Sequence, residues 1–252
     1  DDLVTGVQTC ALPIFLELFN ISPDFNLNIM TKNQTISNIV SFIIDKLDPI
    51  VSEIKPDIIV VHGDTSSTLS GSLSAYFNKV DLAHVEAGLR TGNIYSPCPE
   101  EANRKLTSSL AKYHFAPTNE SKSNLIKEGV VGNIYVTGNT VIDSLLTIKK
   151  MLSIKDQKLS KAFQDIDFEK KIILVTGHRR ENFGTGFKNI CHAIKKIAQE
   201  CKDILIVYPV HLNPNVRKPV NELLADLDNI KLLEPLEYLD FVFLMIQSYI
   251  IL

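Results

Sequence analysis

Three carboxylates stand at the ends of apolar runs or at the start of a helical pattern. Asp64 follows the run D-I-I-V-V-H (Asp57 to His62) and Gly63, and Glu86 follows Leu82-Ala83-His84-Val85. Glu100 follows Pro97-Cys98-Pro99 and opens a helical pattern in which Arg104 stands four residues on, on the same face. A second group lies further along. There the run Ile172-Ile173-Leu174-Val175 is followed by T-G-H-R-R-E-N-F-G, which sets His178 beside Arg179 and Arg180. Carboxylates and histidines so placed can take or give protons, and arginines beside a histidine suit a phosphate. Each has a plainer alternative. Asp64 can be a turn or capping aspartate, and Glu100 with Arg104 a surface pair worth roughly a few tenths of a kcal/mol. His178 and His211 can be ordinary loop histidines. His62 and His84, at or within apolar strands, read as satisfied core residues, and Cys98 as a small residue near the site.

The elements that must hold these groups alternate. The run ending at His62 is short and β-branched, as in a buried parallel strand, and Leu82–Val85 is a second. With the usual right-handed crossover the two strands are parallel, so Asp64 and Glu86 face the crevice beyond their carboxyl ends. Thr65 to Thr68 can cap a helix running to about Asn78, with Leu69, Leu73, Tyr76 and Phe77 as its apolar side. A strand, a tight turn and a helix N-terminus make a ready anion site. Thr35 to Ile54 has helical spacing and is expected to break at Pro49. Further strands are expected at Tyr113–Ala116 and Ile134–Val136, with a helix over Asn119–Lys127 and another entered through T-G-N-T at Thr137.

The second half restarts the pattern. Strands are expected at Ile172–Val175, Ile204–Val207, Ile230–Leu233 and Tyr249–Leu252. Helices are expected over Phe187–Cys201, from the His211 loop to about Leu227, and over Leu239–Met245. The fold class is therefore α/β, with an N-terminal domain over 15–151, a charged connection over 152–170 and a C-terminal domain over 171–252. Residues 1–14 are set aside, because V-T-G-V-Q-T-C-A-L-P-I reads as the translation of a common sequencing-library adapter.

The chain has 252 residues, 45% of them hydrophobic, enough to bury one large core or two medium ones. A formal net charge of -3 gives no bulk attraction to nucleic acid or to an anionic membrane. The four cysteines show no paired metal spacing and fit the reduced thiols of a cytoplasmic protein. The apolar tail from Phe241 contains Gln247 and Ser248 and is too short and polar to span a membrane. There is no dinucleotide fingerprint or ligand cluster, so neither NAD nor a metal is expected as cofactor.

The strings HGDTSST, HVEAGLRTG, SPCPEEANR, TGNTVIDSLL, TGHRRENFG, YPVHLNPNVR and EPLEYLDFVFLM, in this order, strongly resemble the bacterial non-hydrolysing UDP-N-acetylglucosamine 2-epimerases over Phe15 to Leu252. The resemblance implies two Rossmann-like domains of the glycosyltransferase-B kind, with the active site between them. It implies epimerisation at C2 by anti elimination of UDP to a 2-acetamidoglucal and readdition, giving UDP-N-acetylmannosamine for surface polysaccharide synthesis. It assigns Asp64, Glu86, Glu100 and His178 to catalysis, without deciding which acid is the C2 base. Arg104 is expected to orient Glu100, and Arg104, Arg179, Arg180, His211 and Phe241 to bind substrate. A second, regulatory UDP-N-acetylglucosamine and a homodimer are expected of the intact protein. The family's first strand and G-T-R-P-E loop should precede Phe15, and its D-S-G-G-x-Q-E-E loop should follow Leu252, so both domains are expected to be incomplete and the fragment inactive. A hydrolysing epimerase, a sugar-nucleotide glycosyltransferase of the same fold and a binding-only relic remain open.

Overall fold

The computed structural model describes residues 16–29, 31, 34–154, 161–177 and 185–252, without the side chains of 153 and 154. Residues 1–14 lie outside them. The chain divides into two units, Asp1–Val141 and Ile142–Leu252.

Short β-branched runs joined by helices have few ways to pair other than side by side in parallel. In the first unit β1 (Ile58–His62), β2 (Asp81–Val85), β3 (Tyr113–Ala116) and β4 (Asn133–Val136) form one parallel sheet in the order β1-β2-β3-β4. Between and around them lie α1 (Ile36–Ile54), α2 (Ser66–Phe77), α3 (Glu100–Leu110) and α4 (Asn119–Lys127), and α5 (Thr140–Ile154) begins at the end of this unit, with its residues from Ile142 onward belonging to the second. The register sets Val61 beside His84, and His84 beside His114. All the strand carboxyl ends therefore lie along one edge.

Two expectations fail here for physical reasons. The helix α1 runs through Pro49 without a break. An internal proline costs about 3 kcal/mol, but α1 buries Ile43 and Val51 on either side of it. Its Asp48 also accepts from Ser74 Oγ at 3.0 Å and Asn78 Nδ2 at 2.7 Å, which ties α1 to α2. The buried face of α2 is not the large apolar one: Thr68, Ser70, Gly71, Ser72, Ser74 and Ala75 are buried, while Tyr76 and Phe77 are 63% and 56% exposed. The hydroxyls of Ser70 and Ser72 donate to Ser66 O and Thr68 O, both at 2.7 Å, and so bury no unmet polar group. Gly71 packs on β1, where an added Cβ would sit 3.2 Å from Val61 Cγ1.

In the second unit β5 (Lys171–Leu174), β6 (Ile204–Pro209), β7 (Ile230–Leu233) and β8 (Ile250–Ile251) form a parallel sheet in the order β7-β6-β5-β8. The helices are α6 (Thr185–Glu200), α7 (Pro214–Leu224) and α8 (Tyr238–Gln247). Strand alternation divides β6 between two cores. Ile204, Ile206 and Tyr208 join Phe187, Cys191, Ile194 and Val220 on one face, and Leu205 and Val207 join Phe163, Ile166 and Leu244 on the other. The described part of the charged stretch, 161–170, is thus not wholly solvated, since Phe163 and Ile166 are core residues. No helix among the described residues is long and apolar enough to cross a membrane, and Cys98, Cys191 and Cys201 are free thiols.

Candidate active site

The parallel ladder of the first unit continues one step past each strand and then turns. Gly63 N donates to Val85 O at 3.0 Å, and Ala87 N donates to Phe115 O at 3.0 Å. Asp64 and Glu86 sit on these adjacent turns. Glu86 has φ +66, a left-handed conformation that costs a non-glycine residue roughly 1–3 kcal/mol. The loop after it is pressed onto α4: Gly88 has φ +88, and a Cβ there would lie 2.2 Å from Ser121 O. The turn aims Glu86 back along the sheet edge, where its Oε2 lies 3.9 Å from His62 Nε2. His62 is half exposed and its Nε2 is 3.2 Å from Thr140 Oγ1. It is an edge residue beside the acids and not the core histidine expected from the sequence.

Asp64 is gripped by α3. Arg104 Nη2 donates to Asp64 Oδ2, and Asn103 Nδ2 donates to the Asp64 carbonyl at 2.8 Å. The same guanidinium donates through Nη1 to Glu101 Oε2 at 3.2 Å. Glu101 is 0% exposed and also accepts from the Thr91 and Gly92 amides, at 3.1 and 3.3 Å. No bond joins Arg104 to Glu100. The expectation that Arg104 orients Glu100 is therefore corrected, and its partners are Asp64 and Glu101. Glu100, partly exposed, opens α3 beside Glu101, where the helix dipole favours both charges. The same helical period that places Arg104 near Glu100 also places it near Glu101, three residues before it. E-x-x-R was the available signal.

His84 supports the first turn from beneath. It is 0% exposed, with Nε2 2.7 Å from Gly63 O. Burial lowers its pKa to about 4, the Gly63 bond opposing and the neighbouring His114 adding to the shift. The neutral ring donates Nε2–H to the carbonyl just before Asp64, and Nδ1 has no partner. The sign follows from linkage. The unfolded chain binds this proton near pH 6.5 and the folded one only near 4, so the stabilisation is complete above pH 6.5 and is lost as pH falls to 4. The loss is about 3 kcal/mol. Urea unfolding at pH 7.5 and pH 4 is expected to show wild type losing about that much more than His84→Gln, and equal losses would contradict it.

In the second unit, a pocket of about 130 Å³ is lined by Val175, Thr176, Gly177, Pro209, His211 and Phe241. It lies past the ends of β5 and β6. Asn213 N donates to His211 Nδ1 at 3.1 Å, so a neutral ring carries its proton on Nε2. Tyr208 OH donates to Gly177 O at 2.6 Å, pinning the residue that precedes His178, and burial pushes the Tyr208 phenol upward. His178, Arg179 and Arg180 lie outside the described residues.

Residues 3–252 match the family described as UDP-N-acetylglucosamine 2-epimerase. The UDP-N-acetylglucosamine 2-epimerase of Escherichia coli (strain K12) is 53% identical over 99% of this chain, which covers 67% of that protein. The chain belongs to the UDP-N-acetylglucosamine 2-epimerase family. It spans about two thirds of the length of such relatives. The crystal structure of the Neisseria meningitidis epimerase bound to UDP-GlcNAc superposes with a TM-score of 0.88, at 48% identity over 96% of this chain and 66% of that one. A Methanocaldococcus jannaschii epimerase in complex with UDP-GlcNAc and UDP gives a TM-score of 0.74 at 33% identity, over 95% of this chain and 66% of that one. The α/β architecture of parallel sheets is thus that of the epimerase family. The family match begins at residue 3 and so runs into the segment set aside as adapter-like.

Within this chain the expected residues fall into separate groups. Asp64, Glu86 and Arg104 share the carboxyl edge of the first sheet, and Glu100 stands on the helix that carries Arg104. His211 and Phe241 share the pocket of the second unit. Glu101 and Asn103 carry no role in the sequence expectations and His62 is expected in the core, yet all three lie among the first group.

Proposed function

We propose that the protein interconverts UDP-N-acetylglucosamine and UDP-N-acetylmannosamine without hydrolysis. The observation that carries this reading is the edge of the first sheet, where Asp64 and Glu86 stand on adjacent turns with Arg104 fixed against Asp64. Acids held at a strand edge suit proton transfer at a carbon, which glycosyl transfer does not require. One carboxylate of Asp64, Glu86 and Glu100 removes the C2 proton. The C–H electron pair forms the C1–C2 double bond, and the C1–O bond breaks with its electrons going to UDP. Readdition of UDP with proton delivery to the opposite face of C2 completes the exchange. Growing negative charge on the leaving diphosphate needs donors and cations, and His178, Arg179 and Arg180 are assigned that part. His211 and Phe241 are assigned to holding the nucleotide sugar. No cofactor enters these steps.

A second UDP-N-acetylglucosamine acting as regulator, a homodimer and a cytoplasmic location belong to the same proposal. The free thiols are compatible with the last. The test is an acceptor-free incubation of UDP-N-acetylglucosamine with the product of the longest reading frame that carries these residues. Chromatography is expected to show UDP-N-acetylmannosamine accumulating to a mixture with its precursor. Free sugar with UDP would instead identify a hydrolysing enzyme, and an unchanged substrate a binding protein.

A further inference from the structure

We infer that Glu101 is a positioning residue, which sets Asp64 through Arg104 without touching substrate. This deepens the epimerase reading and rests on it. Glu101 is completely buried, yet it is ionisable and surrounded by donors: two backbone amides of the loop after β2, and Arg104 Nη1. Taking a carboxylate and a guanidinium out of water costs several kcal/mol each, and apolar residues of similar size usually do as well for stability. A charge in this place therefore has to be explained by the geometry it imposes.

That geometry is specific. The Arg104 guanidinium uses Nη2 on Asp64 and Nη1 on Glu101, while its buried Nε meets no hydrogen-bond partner. Its orientation is consequently fixed at one end by Glu101 and spent at the other on Asp64. Glu101 is itself fixed by Thr91 and Gly92, so a single carboxylate locks the loop after β2, the start of α3 and the Asp64 side chain together. A glutamine at this place keeps one acceptor oxygen for three donors and turns an NH2 group toward the others. The guanidinium then loses its anchor and Asp64 its fixed partner. Misplacing a reacting group by about 1 Å can cost on the order of 100-fold.

The experiment compares Glu101→Gln, Arg104→Gln and the double variant in the full reading frame. Glu101→Gln is expected to lower kcat by about 30- to 100-fold with KM within about threefold. Once Arg104 is already glutamine, adding Glu101→Gln is expected to change kcat by less than about threefold, because both act through one contact. Effects that multiply independently, or a Glu101→Gln enzyme with normal kcat, would overturn the proposal. The crystal structure of Glu101→Gln supplies an arm that needs no activity. Arg104 is expected to have left Asp64, and an unmoved Arg104 would overturn the proposal. Failure of the epimerase reading shows elsewhere, in a wild-type protein that forms no UDP-N-acetylmannosamine.

Discussion

Arg104→Leu is expected to destabilise the protein by about 3–5 kcal/mol, the range found when one partner of a buried ion pair is removed. The size follows from what is left behind. Glu101 is 0% exposed and would be left with only the Thr91 and Gly92 amides to meet it. Asp64 is less demanding, since its side chain is 28% exposed and water can replace the guanidinium. Removing the buried acid as well should recover most of the loss: Arg104→Leu with Glu101→Met is expected within about 2 kcal/mol of wild type. Denaturant unfolding monitored by circular dichroism measures both. An Arg104→Leu protein within about 1 kcal/mol of wild type would mean that the pair is effectively solvated.

Asp64→Asn is expected to lower kcat by roughly 100- to 10,000-fold, the span attributed to a positioned acid or base. The substitution is mild for the fold. Asparagine Oδ1 can still accept from Arg104, and the Asn103 bond goes to the Asp64 backbone carbonyl, which is unchanged. What disappears is the ability to hold a proton. A melting temperature near that of wild type with KM changed by less than about tenfold is therefore expected alongside the fall in kcat. Turnover within tenfold of wild type would return Asp64 to the role of a turn aspartate that merely leads into α2.

The strand ends were legible in the sequence because β-branched runs that stop at glycine or an acid leave little choice of structure. The Gly63 and Glu86 turns fall where those runs predict. What escaped was burial that does not follow side-chain size. The inner face of α2 is built of serine, threonine, glycine and alanine, with the Ser70 and Ser72 hydroxyls satisfied within the helix and those of Thr68 and Ser74 by His62 O and Asp48, so a rule that seeks large apolar residues selects the wrong face. Pro49 was read as a break because local propensity ignores Asp48, whose bonds to Ser74 and Asn78 come from a different helix. The site shows the same limit. Helical spacing offers Arg104 two acids, Glu100 and Glu101, and only the loop that folds over Glu101 decides between them. His62 looked like a core residue because it ends an apolar strand, but β1 is the edge strand of its sheet and leaves it open.

The central claim is that the acids on this sheet edge break and remake a C–H bond at C2. Proton NMR of UDP-N-acetylglucosamine incubated with the protein in D2O tests it directly. The expected result is UDP-N-acetylmannosamine carrying deuterium at C2, with deuterium also entering C2 of the recovered substrate, and both rates falling together in Asp64→Asn. Product that retains its original C2 hydrogen, or no UDP-N-acetylmannosamine at all, would contradict the account.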